Sequence, residues 1–240
     1  MKMIKSQGQK LSENKNQHAQ KNLESQQQDL KIKTVINEVK AKIEEKYDIK
    51  LTFKDKLLCK DIEALLSDEQ FCKENTYIKP DGGFLYMTID EKLYPILVSE
   101  QKRQGTNDAI LLKGGTAQSQ GNAVERLGKN VKAFDALFSD EDIYPFVVFL
   151  QGCDFYAPES TIVDRVRTIA HFQPMNVISL NWKQINKKLF TGGSYFMRGH
   201  SMYELPGTSD WSFDEMFNVM FEIADLATQY YIDTKTKKES

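Results

Sequence analysis

The sequence predicts an α/β sandwich, in which helices pack on both faces of a central β-sheet. Two strand-like runs, "GGFLYMTID" and "LYPILVSEQK", precede an amphipathic helical stretch, "AVERLGKNVKAFDALF". The run that follows, "YPFVVFLQG", is apolar at consecutive positions and therefore on both of its faces. Two apolar faces are typical of a strand at the centre of a sheet that helices cover on both sides.

The helices are predicted from apolar residues at helical spacing. In "KIKTVINEVKAKIEEKYDI" these residues are Ile32, Val35, Ile36, Val39, Ile43 and Tyr47. A second helix is expected in "CKDIEALLSDEQFCKEN", residues 59–75. In the stretch after the strands, the apolar face consists of Val124, Leu127, Val131, Phe134 and Phe138.

The last helix is expected in "SDWSFDEMFNVMFEIADLATQYYI", where Ser212 and Glu215 can form a capping box. Its large apolar side chains are expected in the core or in a subunit interface; they are Met216, Phe217, Met220, Phe221, Ile223 and Tyr230. The two strand-like runs are expected to form a hairpin around Asp90-Glu91-Lys92.

The composition bounds the class of protein. The 240 residues are 40% hydrophobic, enough for a sizeable packed core, and we expect one domain over residues 31–240. The formal charge of -2 and the pI near 6.0 give no overall basic field. A general nucleic-acid binder is therefore disfavoured, whereas a basic cleft on a balanced body remains open.

The cysteines and the apolar runs indicate a reduced, cytoplasmic protein. Cys59, Cys72 and Cys153 are odd in number and have no metal-ligand spacing. The start "MKMIKSQGQK" has no apolar stretch that could serve as a secretion signal. Since no apolar run is long enough to cross a bilayer, no membrane association is expected.

Residues 1–30 are predicted to form a mobile polar arm. The stretch is rich in Gln, Lys, Asn and Ser, and holds too few large apolar groups to offset the entropy lost on ordering. Two interpretations stay open. The arm has no role of its own, or it grips DNA.

The stretches "KPDGGF" and "LVSEQKRQG" contain two acids and a lysine with a pattern suited to phosphodiester chemistry. Glu100 and Lys102 point the same way because side chains alternate along a strand. If the hairpin brings Asp81 alongside, two carboxylates and the backbone carbonyl of Gln101 can hold Mg²⁺. Such an ion lowers the pKa of an attacking water, and Lys102 could orient that water or stabilise the transition state.

A plainer interpretation of the same residues is also open. "PDGG" contains the residues that ordinary turns prefer, and Glu100 and Lys102 could form a local ion pair. Short patterns of two acids and a lysine arise by chance in many chains.

The stretch "QGNAVERLGKN", residues 120–130, could read DNA bases. Asn pairs with adenine, Arg donates to purines and Glu accepts from exocyclic amino groups, while Lys129 and Lys132 are suited to phosphates. In the alternative, Asn122 is a helix N-cap, Glu125 completes a capping box and Arg126 faces solvent.

Taken together, "IKPDGG", "SEQKRQG", "GNAVERLGKN" and "YPFVVFLQG" resemble, in this order, the EcoRI-type type II restriction endonucleases of the PD-(D/E)XK superfamily. The resemblance is strong over residues 77–152 and fainter in "RTIAHFQPMN" and residues 211–226. The N-terminal third matches poorly. The resemblance implies a central mixed sheet flanked by helices, a homodimer, and Mg²⁺-dependent cleavage of double-stranded palindromic DNA that leaves 5′ overhangs and 5′-phosphates.

The resemblance also assigns roles to individual residues. It implies metal binding by Asp81 and Glu100 and a catalytic role for these two residues and Lys102. It assigns base recognition at a central AATT to Asn122, Ala123, Glu125 and Arg126, and contacts near the phosphates to Lys79, Lys129 and Asn130.

Several positions depart from the family pattern. Gln118 stands where the family has methionine, which bears on the outer base pair, and of Arg165 and Arg167 only Arg167 is carried over as a base contact. The closest match is to enzymes that cut GAATTC, and a DNA methyltransferase for the same site is the expected functional partner. The alternatives are a repair or junction nuclease with the same core fold and a catalytically silent, site-specific DNA-binding dimer.

Overall fold

The computed structural model describes residues 30–58, 77–103, 121–152, 155, 161–172, 175–179, 192–198 and 211–236. The predicted helix at residues 59–75, Gln118, the three cysteines and residues 1–29 of the predicted arm lie outside these ranges.

Four helices and eight strands are described. The helices are α1 at residues 30–47, α2 at Gly121–Leu137, α3 at Ile162–Phe172 and α4 at Phe213–Lys235. The strands are β1 (Leu51–Lys54), β2 (Leu57–Leu58), β3 (Tyr77–Ile78), β4 (Gly83–Ile89), β5 (Lys92–Arg103), β6 (Phe146–Gln151), β7 (Met175–Ser179) and β8 (Gly193–Arg198).

A mixed six-stranded sheet organises the fold. Its strand order is β1-β4-β5-β6-β8-β7. The pairs β1–β4 and β4–β5 are antiparallel, whereas β5–β6, β6–β8 and β7–β8 are parallel. Strands β2 and β3 form a separate antiparallel pair. The predicted α/β class with a central mixed sheet is therefore confirmed.

The hairpin between β4 and β5 forms where the sequence predicted it. Asp90 and Glu91 have φ angles of 48° and 64°, so both turn residues adopt the left-handed conformation that tight two-residue hairpins require. The register shifts along the hairpin, because Leu85 pairs with Leu97 but Tyr86 pairs with Pro95. The extra residue, Ile96, forms a β-bulge.

This bulge decides which face of the sheet each later residue of β5 occupies. Ile96 and Leu97 both pack into the same core, so the alternation of side chains changes phase between them. Val98 then packs into the opposite core. Since a shift of one residue exchanges the two faces of a strand, the bulge sets the face from which Glu100 projects.

Two hydrophobic cores sandwich the sheet. The first core lies against α1 and α4 and the second lies against α2 and α3. Strand β6 contributes to both, because Val147 and Phe149 enter the first core while the second receives Phe146, Val148 and Leu150. The predicted apolar faces of α1 and α2 are buried, apart from Tyr47, which is half-buried against the first core, and this confirms the helical periodicity.

Helix α4 begins with the predicted capping box. The Ser212 side chain accepts a hydrogen bond from the backbone N–H of Glu215, and the Glu215 side chain accepts one from the N–H of Ser212. Met216, Met220 and Ile223 are buried in the first core, as predicted for that face. None of the described helices is long and apolar enough to cross a membrane.

Candidate active site

A glycine-dependent turn carries Asp81 onto strand β5. The Gly83 N–H donates to the Pro80 carbonyl at 3.2 Å, which closes the turn, and the Gly82 N–H donates to the Ser99 carbonyl at 2.9 Å. A Cβ atom on Gly82 would lie 2.0 Å from the Ser99 Oγ and 3.1 Å from the Ser99 Cβ, so a larger residue would have to displace the Ser99 side chain. Gly83 has a φ of +85°, which also favours glycine.

Two hydrogen bonds that run in opposite directions join Asp81 to the part of β5 that carries Glu100 and Gln101. The backbone N–H of Asp81 donates to Glu100 Oε2 at 3.0 Å. The backbone N–H of Gln101 donates to Asp81 Oδ2 at 3.2 Å. The two acids therefore lie side by side, as predicted. The backbone of the segment that carries one acid donates a hydrogen bond to the carboxylate of the other.

Lys102 completes a compact cluster with the two acids, which we call the acid–lysine cluster (Asp81, Glu100 and Lys102). Its Nζ contacts Glu100 Oε1 and lies 3.3 Å from Asp81 Oδ2. The Glu100 side chain is 1% exposed, whereas those of Lys102 and Asp81 are 19% and 28% exposed. The cluster is thus closed at Glu100 and open to solvent at Asp81.

The electrostatics of the cluster follow from two acids sharing one ammonium group. Burial, and next the negative charge of Asp81, raise the pKa of Glu100 above its ordinary range. Burial lowers the pKa of Lys102, but the charges of Glu100 and Asp81 outweigh this effect, and the pKa of Lys102 is raised. Lys102 therefore stays protonated, and the second negative charge is incompletely balanced.

Helix α2 reaches the cluster through Asn130. The Asn130 Nδ2 donates to Glu100 Oε1 at 2.6 Å, next to the Lys102 ammonium. The family resemblance predicted Asn130 near phosphates and gave no hint of this contact. The signal in the sequence was only indirect, since Asn130 is a polar residue beside the buried positions Leu127 and Val131 of α2.

Comparison with known proteins identifies the family of this chain. A family model described as "Restriction endonuclease EcoRI" matches residues 15–237. The chain belongs to the EcoRI restriction endonuclease family. This match includes the N-terminal third of the chain, where the sequence resemblance was weak, and it confirms the predicted family.

Two curated proteins are similar to parts of this member of the EcoRI family. The "Type II restriction enzyme EcoRI" of Escherichia coli is 27% identical over 179 residues, which are 62% of this chain and 63% of the relative. The "Type II restriction enzyme RsrI" of Cereibacter sphaeroides is 41% identical over 101 residues, 38% of this chain and 36% of the relative. The chain thus matches less than two thirds of the length of either relative.

Two of the predicted base-reading residues have side chains that are exposed on helix α2. Glu125 and Arg126 are exposed on α2, and Arg126 lies one helical turn before Asn130. Asn122 and Ala123 lie within α2, which begins at Gly121. This start differs from the capping alternative, in which Asn122 would precede the helix.

The remaining predicted DNA contacts lie on other surfaces of the described chain or further along α2. Lys129 is exposed on α2. Lys79 pairs with Asp55 at 2.8 Å, and Lys33 pairs with the same aspartate at 2.9 Å. Arg167 is exposed on α3, with its Nη1 3.9 Å from Asp164 Oδ1.

The acid–lysine cluster offers oxygen donors of the kind that hard divalent cations prefer. The donors are the carboxylates of Asp81 and Glu100, held together by shared partners, and the Gln101 carbonyl on the same segment. Among the described residues there is no group of three or more His, Cys, Asp or Glu that could hold a metal ion.

The Asn130–Glu100 contact leads to a prediction about stability. Asn130→Ala is expected to lower the free energy of unfolding by about 1 to 3 kcal/mol, because it removes a hydrogen bond to a buried charged group. In a Glu100→Ala background the same substitution should cost less than half as much. A double-mutant cycle by urea denaturation at one fixed pH measures this coupling.

Lys129→Ala is the matched control, since Lys129 is the exposed neighbour on the same helix and its loss should change stability by no more than about 0.5 kcal/mol. Equal losses for Asn130→Ala with and without Glu100 would contradict the contact.

Proposed function

We propose that this chain is a type II restriction endonuclease that hydrolyses double-stranded DNA at a palindromic, AATT-centred site, GAATTC. The products carry 5′ overhangs and 5′-phosphates. The observation that carries the proposal is the acid–lysine cluster, formed in a chain of the EcoRI family by two segments that are distant in sequence.

In the proposed reaction, Asp81, Glu100 and the Gln101 carbonyl would hold Mg²⁺. When bound, the ion would supply charge stabilisation for the phosphodiester and lower the pKa of the attacking water. The water oxygen would form a bond to phosphorus while the bond from phosphorus to the 3′ oxygen breaks; the water releases a proton to solvent and the 3′ oxygen takes one up, which gives a 5′-phosphate and a 3′-hydroxyl. Lys102 contacts both carboxylates, so its ammonium lies beside the proposed metal donors, where it would orient the water and stabilise the developing negative charge.

Helix α2 carries the proposed base recognition. Glu125 and Arg126 are exposed there, and Asn122 and Ala123 lie one turn nearer the start of the helix. Glu accepts from exocyclic amino groups and Arg donates to purines, which suits the adenines of AATT. Gln118 and Arg167 complete the proposed set of base contacts, with Gln118 at the outer base pair.

The proposed phosphate contacts are Lys79, Lys129 and Asn130. Lys79 is exposed, and a phosphate would compete with Asp55 for its ammonium. Asn130 donates to Glu100 Oε1, so the proposed phosphate contact would lie beside the proposed metal ligands.

The proposed assembly follows from the symmetry of the DNA site. A palindrome is read by a two-fold symmetric homodimer, with one copy on each half-site. A cytoplasmic location and a DNA methyltransferase that modifies the same sequence complete the proposal of a restriction–modification system.

Plasmid digestion tests the proposed activity. With Mg²⁺, the wild type should give discrete fragments whose sequenced ends read AATT overhangs within GAATTC. Asp81→Ala and Lys102→Ala should each slow cleavage about a thousandfold or more, because losing a metal ligand or its charge partner costs several kcal/mol of barrier and each ~1.4 kcal/mol is about tenfold. Both variants should retain binding to the site in Ca²⁺.

Asp140→Ala, which removes an exposed acid after α2, is the control and should cut like the wild type. A smear of fragments would instead favour a repair or junction nuclease. Specific binding without any cleavage by the wild type would favour a silent DNA-binding dimer.

A second prediction separates base reading from helix capping at Glu125. Gln also serves in a capping box, so a capping role predicts that Glu125→Gln changes little. A base-reading role predicts a narrower affinity gap between an AATT site and a site with one central substitution. The expected loss is roughly 2 to 6 kcal/mol over both half-sites, because each base contact contributes about 1 to 3 kcal/mol of discrimination.

The measurement is a titration of both duplexes in Ca²⁺ at one salt concentration, with the melting temperature recorded in parallel. Glu222→Gln, an exposed glutamate on α4, is the matched control. An unchanged affinity gap for Glu125→Gln would remove Glu125 from the proposed set of base contacts.

A further inference from the structure

The middle residue of the "EQK" triplet projects away from the acids. Gln101 pairs with Phe149 in the parallel β5–β6 register, and Phe149 packs into the first core. Glu100 pairs with Val148, which packs into the second core. The Gln101 side chain is therefore on the opposite face of the sheet from Glu100, and the residue is 7% exposed.

A buried amide pair fixes Gln101 on that face. Its Nε2 donates to Gln151 Oε1 at 3.0 Å, and Gln151 is 1% exposed. The same Gln151 oxygen accepts the backbone N–H of Trp211 at 3.3 Å. The Trp211 indole N–H in turn donates to the Leu150 carbonyl at 3.2 Å, so the segment before α4 is tied to the end of β6.

Gln151 lies at the last described residue pairing between β5 and β6. The register ends with Arg103 opposite Gln151, two rungs beyond the pairing of Gln101 with Phe149. Backbone pairing alone holds a strand less firmly at its end than at its centre. The side-chain hydrogen bond from Gln101 to Gln151 spans these pairings and therefore restrains β5 at the Glu100-Gln101-Lys102 triplet.

We propose that Gln151 is a positioning residue for the acid–lysine cluster, acting through Gln101. The inference rests on the proposed function of that cluster. The Gln101 N–H donates to Asp81 Oδ2, and its carbonyl is the proposed third metal donor. A rotation of the backbone at Gln101 would displace both groups, together with Glu100 and Lys102 on either side.

A double substitution distinguishes the positioning role of Gln151 from a role in stability alone. Gln151→Met alone leaves the buried Gln101 amide N–H without its acceptor, whereas adding Gln101→Met replaces that amide by an apolar group of similar size. The Trp211 N–H loses the same Gln151 acceptor in both variants, so comparing them isolates the effect of Gln101. The double variant should therefore recover stability relative to the sum of the single losses. A purely structural role requires that metal affinity and cleavage recover with it.

Four quantities decide the matter for each variant. They are the free energy of unfolding in urea, Mn²⁺ affinity of the DNA-free protein by electron paramagnetic resonance, Kd for a GAATTC duplex in Ca²⁺, and the single-turnover cleavage rate in Mg²⁺. We expect Mn²⁺ affinity and the cleavage rate to fall about 10- to 100-fold in Gln151→Met and to stay low in the double variant, as for residues that support metal ligands from behind. The duplex Kd should change less than threefold.

Thr228→Val is the matched control. Thr228 is a buried polar residue of α4, and its Oγ1 donates to the Ala224 carbonyl. Its substitution should lower stability without changing Mn²⁺ affinity or the cleavage rate.

Wild-type Mn²⁺ affinity in Gln151→Met, or recovery of Mn²⁺ affinity in the double variant, would overturn the inference. If the wild type binds Mn²⁺ but cuts no DNA, while Gln151→Met binds Mn²⁺ more weakly, the positioning role stands and the proposed function fails. The two claims are therefore tested separately.

Discussion

Two carboxylates share one lysine in the acid–lysine cluster, and the candidate active site is built around this contact. Lys102 contacts Glu100 and Asp81, although these acids come from a turn and a strand that are separate in the chain. The glycines of the turn allow its close approach to Ser99, and the bulge at Ile96 sets the face of Glu100. Each of these local features is common alone, and together they bring two acids to one lysine.

That arrangement is unfavourable for the folded protein by itself. A buried carboxylate beside a second acid is difficult to ionise, and a single ammonium only partly offsets the cost. The two cores supply the compensating stability, since apolar side chains cover both faces of the sheet on either side of the cluster. Functional sites commonly contain such unfavourable groupings of charge, which lower the free energy of unfolding of the protein.

The sequence predicted the parts of the fold that depend on local periodicity. The apolar spacing of α1 and α2, the two apolar faces of β6 and the capping box of α4 are local properties, and the structure confirms each of them. Alternation also predicted that Glu100 and Lys102 share a face. Their particular face was not predictable, because the bulge depends on how β4 pairs with β5. The contacts of Asn130 with Glu100 and of Gln101 with Gln151 join residues that are 30 and 50 positions apart in the sequence. Local sequence patterns do not predict contacts over such separations.

The proposed reaction requires that Asp81 and Glu100 together hold a divalent ion at the phosphate to be cleaved. Crystals of the protein with a GAATTC duplex and Mn²⁺ test this requirement, because anomalous scattering locates manganese independently of the protein atoms. A manganese peak is expected within about 2.0 to 2.5 Å of a carboxylate oxygen from each acid, as hard divalent ions require. The same peak should contact the Gln101 carbonyl and a phosphate oxygen of the duplex. A fully occupied manganese site that touches the phosphate but neither Asp81 nor Glu100 would rule out these two acids as the metal ligands.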